Sequence, residues 1–399
     1  MEKLMRITLI LCVTMVLGVR AQDNINNEPV KLGLNVGSTF SDNRDGTKHN
    51  KENNFDVYAQ PRVDVVLGDE QSLFDFYLAP SVLWRSNPRE NNEPSPQNDT
   101  DFYYALGAAF QQKFSEASSL RLTDDFSYSD DPKIDLGGVG VRDNQSYYYN
   151  ALRADLNCML SETYGVEFLG GNSIKRYNDN AVADEEDEDV YSLDGIFRIV
   201  LGNGLKALGQ VGYSDFKNKS ETEDLDRGVQ IMTYAVGVEK DLTSKLTSVI
   251  KGGVQTADFS SDTLDSETTG YGSGELTLRE AQTRFSLGAG YGFYGPYVRP
   301  YSSQTRTYVD AKVARDLGTK FTVEAEAQFA RGEYDKELLS NGTQLSGGND
   351  DLMLGALRGI YRINHNVDFE LGYQYEDWNS DVRESFTRNL VTAVVKTRL

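Results

Sequence analysis

Two cysteines, two histidines and nine prolines among 399 residues leave several chemistries without material. Cys12 lies in the single long apolar run, so Cys158 stands alone in the rest of the chain and no internal disulfide can form there. No base, metal or helix N-terminus is legible beside Cys158, and it reads as a small apolar side chain. His49 sits in a polar stretch and His365 in a tight turn, neither placed beside a serine, so a base that titrates near pH 7 is missing where catalysis would need one. Cations are scarce too: 40 Lys and Arg stand against 61 Asp and Glu, for a net charge of −21. Clustered cations are what a polyphosphate requires, so a nucleic-acid partner is excluded. The apolar run, residues 7–19, is shorter than the roughly 20 residues a helix needs to cross a bilayer.

What is present begins with an export signal. Lys3 and Arg6 precede the apolar run, and Val19-Arg20-Ala21 before Gln22 reads as a cleavage site. The sequence therefore divides into a signal peptide at 1–21, a short periplasmic segment at 22–29 and one large unit at 30–399, with a mature charge of −23.

That unit is governed by a period of two. In the stretch 366–378, Val367, Phe369, Leu371, Tyr373 and Tyr375 alternate with Asp368, Glu370, Gly372, Gln374 and Glu376. Phe321, Val323, Ala325, Ala327 and Phe329 alternate in the same way with Thr322, Glu324, Glu326 and Gln328. Successive side chains of a strand point to opposite faces, so each such stretch is a strand with one apolar and one polar side. The pattern predicts eighteen strands, at 30–40, 53–67, 72–85, 101–114, 118–129, 145–160, 164–178, 190–201, 205–217, 229–240, 245–259, 269–279, 282–294, 304–315, 320–333, 351–363, 367–379 and 385–399. Most exceed the ~9–11 residues that cross a bilayer at a tilt.

Short turns and long polar segments alternate between them without exception. The nine long segments, at 41–52, 86–100, 130–144, 179–189, 218–228, 260–268, 295–303, 334–350 and 380–384, carry −18 of the mature −23. Aromatic residues crowd the strand ends beside them: Trp84, Tyr128, Tyr177, Tyr191, Tyr213, Phe293, Tyr375 and Trp378 among others, read as one girdle at a membrane–water interface. Eighteen long strands in water would need a second layer to bury their apolar faces, and no helical periodicity offers one. Closure into a ring removes the edges and gives the apolar face to lipid. The expected fold is an all-β, antiparallel, up-and-down transmembrane barrel, with short periplasmic turns, acidic outer loops and both termini in the periplasm.

Two stretches resemble a known family. Ser385-Phe386-Thr387-Arg388-Asn389-Leu390-Val391, running into 392–399, is similar to the closing strand of the "Putative β-barrel porin 2" family, and residues 32–43 to its opening strand. The resemblance implies an outer-membrane barrel, and some relatives accompany exopolysaccharide synthesis and export. Leu399 departs from the aromatic end that the barrel-assembly machinery usually reads.

Alternation also picks the inward charges: Arg62, Asp64, Arg121, Arg153, Asp155, Asp194, Arg198, Lys251, Arg284, Asp310, Lys312, Glu324, Glu326, Arg358, Asp368, Glu370 and Arg388. They read either as a pore wall that orients solutes or as a lattice of cross-strand ion pairs, and the two are compatible. Tyr58, Tyr103 and Tyr149 also point inward, to stack on sugar rings or to fill space near the rim. The acidic run 184–189 suits a hard cation but, as a block of like charge, reads as a solvated loop. Residues 42–46 form a turn rather than a calcium loop, for want of the downstream glutamate. No metal, cofactor or catalytic role is assigned. The function expected is passive diffusion of small hydrophilic solutes or saccharides. The alternatives are the exit of an exopolysaccharide export system with periplasmic partners, and a non-conducting structural or adhesive barrel.

Overall fold

The computed structural model describes residues 29–88, 98–129, 146–178, 183, 187–218, 228–261, 264–295, 301–337 and 343–398. The expected signal peptide, most of the segment after it and Leu399 lie outside these residues, as does much of the acidic run.

Among the described residues, eighteen strands form one sheet. They are β1 (Val30–Ser41), β2 (Asn54–Gly68), β3 (Ser72–Arg85), β4 (Thr100–Ser115), β5 (Ser118–Ser129), β6 (Tyr147–Met159), β7 (Tyr164–Tyr177), β8 (Glu188–Gly202) and β9 (Leu205–Asn218), followed by β10 (Val229–Asp241), β11 (Leu246–Phe259), β12 (Glu267–Arg279), β13 (Thr283–Tyr294), β14 (Gln304–Leu317), β15 (Phe321–Tyr334), β16 (Gly348–Asn364), β17 (Val367–Ser380) and β18 (Phe386–Arg398). Each pairs antiparallel with its neighbour in sequence, and β1 pairs with β18 from Gly33↔Arg398 to Ser41↔Leu390, which closes the ring. No helix among the described residues is long and apolar enough to cross a membrane; this fold crosses with strands.

The register keeps one face apolar all the way round. Phe55, Val57 and Ala59 of β2 pair with Phe40, Ser38 and Val36 of β1, and Val57 and Ala59 pair with Trp84 and Val82 of β3. On β10, β11 and β12 the same face carries Val236, Ile250 and Leu276. Val236 is 73% exposed, Ile250 59% and Leu371 53%, values that water would penalise and lipid does not. Cys158 lies on this outer row, opposite Val166. Glycines on the outer face between β7 and β11, Gly195, Gly209 and Gly252, leave a shallow apolar groove of about 680 Å³ between Phe168, Phe197 and Tyr234.

The short turns use residues suited to them. Gly202, Asn203 and Gly204 take φ of 95°, 51° and 68° in succession, which lets β8 reverse tightly into β9. Gly68, at φ 110°, ends β2; a Cβ there would lie 2.0 Å from the Ser72 carbonyl oxygen.

Candidate functional site

The polar face encloses the site. A cavity of about 1070 Å³ is bordered by Arg153 of β6 and by Glu326 and Gln328 of β15, strands nine positions apart in the ring and hence on opposite walls. The register puts all seventeen charged residues selected from the sequence on this inner face, on the same side of the ladder as the residues that line the cavity.

Most of them meet a partner. Glu326 accepts from Lys312 at 2.9 Å, and Arg62 pairs with Asp64 at 2.7 Å while lying 4.3 Å from the Tyr77 ring centroid. Arg198 contacts Glu167 and lies 3.9 Å from Glu239, which holds Lys206 at 2.6 Å. On β15 to β18 the pairs run on: Arg358 contacts Glu324 and lies 3.7 Å from Glu370, which receives Lys396 at 2.8 Å. Asp368 joins Arg362 at 3.8 Å to Arg398 at 2.8 Å, and Arg388 meets Glu376 at 2.7 Å. An amide bridges another pair: the Gln210 Nε2 donates to Asp194 at 2.7 Å, and its oxygen accepts from Lys251 at 2.7 Å. Arg121, Arg153, Asp155, Arg284 and Asp310 have no ion pair within 4.0 Å among the described residues, although Arg121 and Asp155 are register partners. Geometry thus supplies a charge lattice with gaps, where sequence left lattice and open wall side by side.

The aromatic girdle divides. Trp84, Tyr128, Tyr191, Tyr213 and Tyr375 occupy outward positions, and Tyr128 stacks on Tyr104 and lies tilted against Tyr148 on the lipid side, at 5.5 and 4.9 Å between centroids. Tyr177, Phe293 and Trp378 instead face inward, contrary to the expected ring. Tyr177 packs on Tyr147 at 5.5 Å beside the cavity. Phe293 joins Val229, Ile231 and Ala257 in a buried cluster, because the end of β13 leaves β12 beyond Tyr291 and its Phe293 N–H turns to donate to Gln255 at 2.7 Å. Trp378 is 2% exposed and packs on Ala330, Leu352 and Phe386. Its residue number has the inward parity of β17; crowding at strand ends alone does not tell inside from outside.

Loops on the long side turn into the barrel. Asn43 donates to the carbonyls of Thr47 at 2.8 Å and Thr387 at 2.9 Å, so the turn at 42–46 folds over Phe386 with Gly46 against its ring. Trp378 donates through Nε1 to Asp350 at 2.5 Å, and the Arg383 guanidinium lies 3.3 Å from the indole centroid and 2.7 Å from Asp350. Between the β13–β14 and β15–β16 connections, Glu337 accepts from the Ser302 N–H and hydroxyl at 3.1 Å, and the Tyr301 hydroxyl donates to the Ser346 carbonyl at 2.5 Å. Burial pushes the Glu337 carboxyl above its ordinary range, with Glu267 adding to the rise while Ser302 opposes it.

Sequence reasoning passed over several residues here. Arg306, on the inward row of β14 between the rings of Tyr294 and Tyr308, was open to the same parity test. Glu337 and Asn43 carry no periodic signal, since loops have none. Of the acidic run, Asp187 accepts the Tyr177 N–H at 2.7 Å and lies 3.7 Å from Arg176, and Asp189 also contacts Arg176; this end is held by a cation instead of being freely solvated. No group of three metal-ligating side chains occurs among the described residues.

The chain is similar to the solved structure of OccK2 (OpdF) of Pseudomonas aeruginosa, with 9% identity over 93% of this chain and 98% of that one and a TM-score of 0.50. OpdK, an outer membrane protein of the same organism, has 11% identity, 93% and 99% coverage and a TM-score of 0.49. A BenF-like porin from Pseudomonas fluorescens Pf-5 has 10% identity, the same coverage and a TM-score of 0.49. No curated protein sequence matches. A family model matches residues 170–399, more than half of the chain, and the chain accordingly belongs to the family described as "Putative beta-barrel porin 2".

Proposed function

We propose that this outer-membrane barrel of porin type is a channel for passive diffusion of small hydrophilic solutes or saccharides. The observation that carries the reading is the cavity bordered by charged side chains between opposite walls of the closed ring. Fixed charges paired along the wall keep it wet and rigid, and a wet interior is what a large closed barrel offers. The seventeen inward charges line the path in this reading. It is transport and not catalysis, and needs no cofactor. The signal at 1–21 would deliver the chain across the inner membrane. The assembly machinery would insert it with both termini in the periplasm, because an even number of strands returns the chain to the side where it began.

The test is conductance of the purified barrel in planar bilayers. Ohmic single-channel steps are expected, and a silent barrel would defeat the reading. An export role for exopolysaccharide draws on a different observation, the three apolar clusters of inward-turned residues at the long-loop end. In that reading a periplasmic partner opens a mouth that is shut at rest, and current would appear only after the partner is added. Silence with and without partners would leave the structural barrel.

A further inference from the structure

Within the pore reading, and resting on it, we infer that the lumen cavity is a subsite for uncharged polyhydroxylated solutes. The cavity has charges of both signs in equal number: Arg153, Lys175 and Lys312 against Glu188, Asp194 and Glu326. Lys312 is already engaged by Glu326, and Asp194 by the amide of Gln210. A charged solute would have to displace these partners at Lys312 or Asp194, and an anion drawn to Arg153 would first be repelled by the acidic outer segments.

Neutral hydrogen-bonding capacity is what is left over. Gln328 is 5% exposed, borders the cavity, and its side-chain amide makes no hydrogen bond to any described residue. An amide that borders the lumen in this way takes partners that both give and take a proton, and a hydroxyl does both. Across the lumen, Arg153 offers donors without an ion pair among the described residues. Tyr149 and Tyr271 border the same space, and an aromatic ring is a partner for the C–H side of a pyranose. Amide, guanidinium donor and aromatic ring are the set that recognises a sugar without reading a charge.

The test measures interruption of single-channel current by two trisaccharides of equal size, neutral maltotriose and anionic trigalacturonate. Maltotriose is expected to interrupt the current at least about tenfold more often at equal concentration. Gln328→Leu should weaken its block by about tenfold, the scale of one buried hydrogen bond, and Gln328→Asn should recover part of it. Heat-modifiable migration shows that each variant is folded. Equal or stronger block by trigalacturonate, or a block indifferent to Gln328→Leu, overturns the inference while leaving an open pore standing. A wild-type barrel that carries no current overturns the pore reading and this inference together.

Discussion

Trp378 shows what one side chain decides. It carries a ring that an interface would accept, yet its indole N–H donates to Asp350, whose carboxylate is 2% exposed and also holds Arg383. Removing the shared acceptor takes the partner from the buried indole N–H and the Asp350 ion pair from Arg383, a loss of about 1–3 kcal/mol. In a Trp84→Phe background Trp378 is the sole tryptophan. There Asp350→Ala should shift its emission to longer wavelength and lower the temperature at which the barrel unfolds on a gel; unchanged emission would contradict the packing. Glu337 sets a second expectation. Its carboxyl is raised above the ordinary 4.5, chiefly by burial and then by Glu267, against the hydrogen bonds from Ser302. A raised carboxyl favours the closed loop pair while protonated, so that contribution is complete below about pH 4.5 and fades as pH climbs through the raised value. Amide protection of Ser302 and Ser303, corrected for intrinsic exchange, should fall over that interval and lose the pH dependence in Glu337→Gln.

At the scale of elements the strands were legible because alternation is a local property. Ends were less so where polarity hid pairing. β16 starts at Gly348 rather than 351 because Gly348, Asn349 and Asp350 continue the ladder with Tyr334, Glu333 and Gly332, though all three look like loop. Glycines separate into those that shape a turn and those that merely thin a wall. Gly68→Val forces a β-branched residue into φ 110° and against Ser72, strain of about 1–3 kcal/mol, and should reduce the yield of heat-modifiable barrel on refolding. Gly272→Val meets open space on the lipid side and should refold like the parent. Equal yields from the two would show that the β2–β3 turn does not limit assembly.

For the molecule as a whole, closure is the decisive event. Burying a Leu, Val or Ile of the outer face in lipid is worth about 1.5–3 kcal/mol each, and only a ring can collect that without exposing strand edges. The interior is then shaped by segments that the ring brings together. If the Ala330, Leu352, Trp378 and Phe386 cluster narrows the mouth, replacing Trp378 and Phe386 together by Ala should raise single-channel conductance. Unchanged conductance would move the constriction to another level of the lumen.

The chain by itself determined how many strands there are, which side chains share a face, and that the long connections gather at one end, since each follows from neighbours two residues or one turn apart. Only the tertiary structure decided which residues at the long-loop end bend inward and which wall charges find partners. Asn43 reaches the Thr387 carbonyl and Asp42 the Asn389 side chain, contacts separated by 344 and 347 residues. Such pairs exist only after β1 and β18 have met, and no local pattern encodes them.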